Sequence, residues 1–478
     1  MSFGTGCNRR LAYSIKLRIF LSVFIALFFL ILIKDSILYD FYIPREPIDS
    51  KKALHWSGDP IAKGDPRWQE ADIFAEVFIY SAHYDDIGLS PLIRVIGIAL
   101  DPLPYFFVKC RYYEYQDGPV VYSVSGEVLH MRERNGRSYL GAYVECPLDE
   151  SYNFLPYALT VDKGNNSENL NFMIINYSRD VLLPPIERTS TESEYSTEDY
   201  EDTVSEFDED YSDVAPFDWQ WNITRCFPAF HMGYDDHIML AEMVAVSRLL
   251  GVQHFVFYVK NAGKHVLDML EVLKAQGDAE VLPWNLNLSE QNLYYAGQFA
   301  SINDCLYRHL WTSRFLLFAD ADEIFVPRDQ PSLFSLLDEQ FAENPECGAY
   351  LFLNVFFNLR FPTAVPRKGN KTTLNFLQRL KVLTHTRRHK EVLGPAIRSK
   401  PAVDPRRVHT GSVHIIQKFR DGYETCVMSR YKGLLHHYRD FPEPPLDEQE
   451  NDPYLWEIFA DIVAETKMIL DEYDEMVK

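Results

Sequence analysis

Three carboxylates stand close together at Asp320, Asp322 and Glu323, directly after the apolar run Phe315-Leu316-Leu317-Phe318-Ala319. Side chains alternate along an extended tip, so Asp320 and Asp322 fall on one side. Such a pair can hold a hard divalent cation, manganese or magnesium, through oxygen ligands. The cation would neutralise a diphosphate and help it leave. A nucleotide-sugar donor needs this chemistry, because its leaving group is a nucleoside diphosphate. A bare Asp-x-Asp is common by chance; position gives this one its meaning, since doubly wound sheets bind ligands beyond the carboxyl ends of their strands. Two other readings compete. A turn cluster that satisfies backbone amides would need no chemistry. A phosphoaspartate hydrolase or phosphotransferase also places Asp-x-Asp after a buried strand, but it normally has a small or β-branched polar residue two places past the second Asp, where Ile324 stands.

The surrounding text must position these carboxylates. Asp235-Asp236 can cap a helix through Ile238, Ala241, Val244 and Leu249 that Gly251 ends. A strand over 252–259, a helix over 264–276, a short strand over 279–283 and a helix over 296–311 follow, and then the Phe315 strand. Continuous apolar strands separated by helices imply a parallel sheet covered on both faces. Residues 349–356 and 413–416 read as further strands, and 453–476 as an amphipathic helix packing onto the catalytic domain. Upstream, Val77–Tyr80, Ile93–Ile98, Tyr105–Val108 and Tyr139–Val144 read as strands of a β-rich domain over 72–188.

The chain carries a formal net charge of -22 and no Lys/Arg cluster, which argues against a nucleic-acid partner. An acidic tract over 189–214, with eleven carboxylates from Glu192 to Asp213, supplies half of that charge. Its composition is that of a disordered linker; Tyr195, Tyr200 and Tyr211 within it would suit sulfation, and an unmodified spacer is the plainer reading. The N-terminus is a different text. Arg9, Arg10, Lys16 and Arg18 precede an apolar run from Ile19 to Ile33. That run predicts a signal anchor over 19–34, with 1–18 cytosolic and a stem over 35–71. No small-x-small cleavage site follows, as a signal peptide would require. Six further cysteines (Cys110, Cys146, Cys226, Cys305, Cys347 and Cys426) and five sequons (Asn165, Asn176, Asn222, Asn287 and Asn370) lie beyond the span. They fit a lumenal compartment that allows up to three disulfides, whose pairing the sequence leaves open.

Several segments together resemble glycosyltransferase family 92: Tyr80-Ser81-Ala82-His83-Tyr84-Asp85, Tyr143-Val144-Glu145-Cys146-Pro147-Leu148, Cys226-Phe227-Pro228-Ala229, Leu250-Gly251-Val252-Gln253-His254-Phe255, Asn303-Asp304-Cys305-Leu306, Phe318–Glu323 with Val326-Pro327, Lys400-Pro401 with Val408-His409, and His437-Tyr438-Arg439. The resemblance implies an α/β fold with a GT-A-type nucleotide-sugar-binding domain over 215–445 and a C-terminal helix over 446–478. The β-rich domain and the single N-terminal transmembrane helix precede it. It further implies a manganese-dependent inverting transfer of galactose from a UDP-sugar in the Golgi, with a glycan on a glycoprotein, such as fucose on an N-glycan core, as acceptor. Asp322 would ligate the metal, Asp320 the metal or donor ribose, and Glu323 would orient a neighbour or a sugar hydroxyl. His409 and His437 are candidate further metal ligands, and Arg439 could steady the diphosphate. Pro228 and Phe230 would meet the base. An inverting transfer needs a base for the acceptor hydroxyl; Glu391, Asp404, Asp421 and Glu424 are unranked candidates. The rival class is a non-catalytic, membrane-anchored carbohydrate-binding protein, which could dispense with the Asp-x-Asp and both histidines.

Overall fold

The computed structural model describes residues 67–478 apart from 73, 89, 117, 133–135, 150–154, 164–170, 178–218, 366–370 and 441–445. The expected anchor, the cytosolic tail, nearly all of the stem and the acidic tract lie outside these residues. Among the described residues no helix is long and apolar enough to cross a membrane.

The β-rich part is an eight-stranded sheet, seven strands of which close into a barrel. Its order runs Gln69–Glu70, Val77–Asp85, Leu92–Leu100, Tyr139–Pro147, Val120–His130, Phe107–Tyr113, Ala158–Asp162 and Met173–Asn176, and a parallel pairing of the last strand with Val77–Asp85 closes it. The alternating side chains of these strands fill the interior with Ile79, Val95, Val144, Leu159 and their neighbours. The Cys110–Cys146 disulfide lies inside it. Gln69–Glu70, at the end of the expected stem, already pair with this barrel.

The second sheet holds the site. Ala279–Pro283, His254–Val259, Trp221–Phe230 and Ser313–Phe318 run parallel in that order; three of them match the expected strands, and Trp221–Phe230, between two of these, was not expected. Beyond them the all-parallel expectation fails: Lys400–Val403 enters antiparallel between Ser313–Phe318 and Cys347–Phe352. The single strand expected over 349–356 is two. Cys347–Phe352 belongs to this sheet, and Asn354–Asn358 crosses to a third one beside Gly433–Arg439. Residues 413–415 are a bend, and the strand starts at Ile416.

The capping pair splits its work. Asp236 Oδ1 accepts from Met239 N at 3.1 Å and caps helix His237–Leu249. Asp235 Oδ1 accepts from Val266 N at 3.2 Å and caps the next helix, Lys264–Ala275, whose own N-cap is Gly263. A Cβ on Gly263 would lie 2.1 Å from the Asp235 carboxyl carbon, so glycine leaves the room that this borrowed cap occupies. The C-terminal helix Phe459–Met476 packs Ile469, Leu470 and Tyr473 into the sheet's core, as its apolar face predicts.

Barrel and sheet share a core that includes Tyr80, Tyr143, Tyr258 and Trp284. Helix Gln298–Arg308 is the joint. Its Asp304, fully buried, accepts from Ser81, His83, Tyr258 and Arg308. Burial alone would raise that carboxyl, but Arg308 and the His83 and Ser81 bonds hold it far below its ordinary value. The Ser81-Ala82-His83 and Asn303-Asp304 segments therefore act as a polar lock between two bodies. Disulfides Cys226–Cys305 and Cys347–Cys426 complete the three that an even cysteine count allows.

Candidate active site

The carboxyl ends of the parallel strands open on a cleft of about 890 Å³. In the register Phe318 stands beside Cys226, so the residues that follow lie next to Pro228, and both segments line the cleft. Asp320, Asp322 and Glu323 converge there, with carboxylate oxygens within 4.8 Å of one another. The reversed strand explains what neutralises them. Leu317 pairs with Ala402, which carries Lys400 to the same edge. Its Nζ, 1% exposed, lies 2.8 Å from Asp320 Oδ2 and 3.1 Å from Glu323 Oε2. Burial opposes the ammonium charge, but the two carboxylates outweigh it and hold its pKa above the ordinary lysine value. Reciprocally, burial would raise the Asp320 carboxyl, and Lys400 holds it below its usual value.

The backbone of the carboxylate turn is fixed from below. Arg225, fully buried, donates to the carbonyls of Asp320 at 2.8 Å and Glu323 at 2.6 Å and to Ser247 Oγ at 2.8 Å. Burial lowers its pKa to about 10, where it remains a cation at neutral pH. Glu323 Oε2 accepts from Asp320 N at 2.9 Å, so Glu323 shapes the turn from within.

His437 reaches the trio from the neighbouring strand Gly433–Arg439, paired antiparallel with Glu323–Pro327 so that Glu323 faces His437. Its Nε2 is 3.3 Å from Asp322 Oδ2, and its Nδ1 is 3.3 Å from Glu323 Oε1 and 2.9 Å from Asn354 Nδ2. Burial lowers its pKa, but the surrounding carboxylates, Glu323 first, raise it on balance. Nε2 is buried without a hydrogen bond, as is Asn354 Oδ1. With the Asn354 amide turned to accept from Nδ1–H, Nε2 presents a lone pair toward Asp322, the arrangement a metal-ligating histidine needs. The oxygens of Asp320, Asp322 and Glu323 are close enough to share a divalent cation, and His437 Nε2, facing Asp322, is placed to add a nitrogen ligand.

The expected residues divide sharply. Pro228, Asp320, Asp322, Glu323, His437 and Arg439 meet in the cleft, Arg439 on its exposed lip. Phe230 borders it but is only 7% exposed and packs in the core against Phe227 and Phe257. His409 does not reach it. Its carbonyl accepts from Tyr143 and Tyr307, and its ring sits 3.8 Å from Glu145 at the barrel joint. The four expected bases are elsewhere too. Asp404 follows the antiparallel strand and so falls at the opposite edge, paired with Arg314, Arg406 and Arg407. Glu424 opens a strand parallel to Cys347–Phe352, hence also at that far edge, and Asp421 precedes it on an exposed turn. Glu391 is exposed and outside the cleft. Sequence reasoning missed roles for Lys400, Arg225 and Asn354. The signal was partial: Lys400 stood in a resembling segment without a role, and Arg225 is a lone cation in an apolar strand.

One wall of the cleft is held by a buried carboxylate. Glu242, on helix His237–Leu249, accepts from the backbone N–H of Lys381 at 2.7 Å, Val382 at 2.9 Å and Leu383 at 2.7 Å, and Lys381 lines the cleft. Glu242→Ala leaves three buried donors unpaired and is expected to cost about 3 kcal/mol in urea unfolding. Burial raises the carboxyl to about 7 against those three donors. Its folded value lies above the unfolded value of 4.5, so this group's stabilisation is full below pH ~4.5 and is lost as pH rises to about 7. Glu242→Gln should flatten that part of the stability profile.

A model of glycosyltransferase family 92 matches residues 222–456, the part that contains every element of the cleft described above. The chain is 24% identical over 233 residues to the beta-1,4-galactosyltransferase galt-1 of Caenorhabditis elegans, covering 48% of this chain and 50% of that protein. Two proteins of the same organism named as glycosyltransferase family 92 proteins are 21% and 26% identical, over 48% and 27% of this chain and 44% and 28% of their own lengths. The chain thus spans about half or less of the length of the curated relatives it matches. Site geometry and likeness agree: residues 222–456 carry a domain that matches glycosyltransferase family 92.

Proposed function

We propose that this chain is a Golgi glycosyltransferase that moves galactose, with inversion to a β linkage, from UDP-galactose to a glycan acceptor such as the core fucose of an N-glycan. The observation that carries the reading is the carboxylate trio at the strand ends, faced by a histidine whose inward nitrogen lacks a hydrogen bond. A β-1,4-galactosyltransferase among the relatives supports galactose as the sugar. Manganese held by Asp322, His437 and Asp320 would act as a Lewis acid on the departing diphosphate. Lys400 lowers the negative charge the donor meets on entry. Arg398 and Arg439, both exposed in the cleft, are placed to bind the diphosphate's outer oxygens. Of the remaining carboxylates in the cleft, Asp236 is tied to Lys381 and to its helix. Asp440, exposed on the lip, is the one among the described residues free to take the acceptor's proton.

The reading includes a single-pass type II anchor over 19–34 with the catalytic part in the lumen. The cations before that span support the orientation, and three disulfides support an oxidising compartment. The test is a panel of UDP-sugars offered to the full-length protein with manganese and a core-fucosylated N-glycan, with the product linkage read by NMR. A β-galactosyl product from UDP-galactose alone is expected. Transfer from a different UDP-hexose would sink the donor assignment, and an α-linked product the inverting mechanism.

A further inference from the structure

We infer that the chain carries a second metal site, suited to zinc, built by His254, Glu280 and His309 at the edge of the main sheet opposite the cleft. It is independent of the proposed transfer reaction. His254 opens one parallel strand, Glu280 lies at the start of the next, and His309 follows the last turn of helix Gln298–Arg308. Their ligand atoms lie within 4.8 Å of one another.

The geometry is that of ligands around a small cation. Glu280 Oε1 stands 3.0 Å from His254 Nε2, a hydrogen bond that a bound ion would replace, and 3.6 Å from His309 Nε2. Tetrahedral zinc with bonds of about 2.0–2.1 Å separates neighbouring ligand atoms by about 3.3 Å. Both imidazoles are more than nine-tenths buried, and His309 Nε2 makes no hydrogen bond although it points at the carboxylate. His309 Nδ1 lies 3.1 Å from Thr312 Oγ1. In the tautomer that donates this bond, the Nε2 lone pair faces a carboxylate oxygen, and a cation between the two acceptors resolves the conflict.

Other features fit the assignment. The Trp221 indole stacks on the His254 ring at 4.8 Å and 6°, which fixes its orientation. The nearest cation, Arg308, is paired with Asp304 at 3.0 Å. Glu280 is 37% exposed, which leaves an approach for the ion and for a water as fourth ligand. Two histidines and a carboxylate are a zinc ligand set. The ion would tie two strand starts to the end of the helix that joins the barrel to the sheet.

The test is metal content and cobalt spectroscopy on the full-length protein. Asp322→Ala serves as background, so that ion binding in the cleft is suppressed. After chelation and reloading with zinc, about one equivalent should survive gel filtration, and cobalt(II) should give the intense visible bands of a tetrahedral site. His309→Gln and the conservative, partly exposed Glu280→Gln should lose both, with circular dichroism reporting that the fold persists. Zinc-free protein after reloading, or unchanged zinc in a folded Glu280→Gln variant, would overturn the site.

Discussion

Asp322→Ala is expected to lower sugar transfer by about 10²–10³-fold, the loss typical when one group that stabilises developing charge is removed. The unfolding transition should hardly move. Asp322 supports the fold through its carbonyl, which accepts from Tyr438 N at 2.8 Å and which alanine retains. Its side chain is about one-third exposed, and among the described residues its ion-pair partner is His437 Nε2. Removing it should free the histidine and take away the one carboxylate of the trio that Lys400 does not neutralise. The fall should appear in kcat, because the diphosphate's charge grows most as the bond breaks. Asp322→Ala with full activity and unchanged manganese requirement would mean that the cleft is assigned wrongly.

Lys400→Met should be the most destabilising single change in the site. The ammonium is fully buried between Asp320 and Glu323. Without it the buried Glu323 carboxylate is left unpaired beside the half-exposed Asp320, and losing one partner of a buried ion pair costs about 3–5 kcal/mol. The pairing predicts a rescue. Glu323→Gln removes a charge and keeps the shape, so the double variant should regain about 1–3 kcal/mol over Lys400→Met alone, the range of coupling between contacting residues. Urea unfolding of the four proteins of that cycle measures the coupling. Additive losses would show that Lys400 does not neutralise Glu323.

Why some of this was visible in the chain and some was not follows from where each interaction lives. The carboxylate trio was legible because its cause is local: an all-apolar strand delivers Asp320 and Asp322 to its own tip. Helix His237–Leu249 was legible through its cap at Asp236 and its stop at Gly251, which adopts φ +108°. His409 and His437 looked alike as single histidines in resembling segments. Only the pairing of Glu323 with His437 separates them, and that contact spans more than a hundred residues. Two of the expected bases, Asp404 and Glu424, lie away from the cleft for one topological reason. An acceptor-half carboxylate reaches the cleft only if its strand end points there; the reversal of Lys400–Val403 sends Asp404 away and brings Lys400 in. The break at Leu353 was hidden because strands of two sheets follow one another without a turn residue.

The account rests most heavily on metal-assisted departure of a nucleoside diphosphate from this cleft. The direct measurement is UDP release from UDP-galactose by the full-length protein with a core-fucosylated N-glycan acceptor. It is made after chelation and again after manganese is restored. Release should vanish with chelation, return with manganese, and be absent in Asp322→Ala. Release of UDP at the same rate without any divalent cation, in wild type and Asp322→Ala alike, would contradict it.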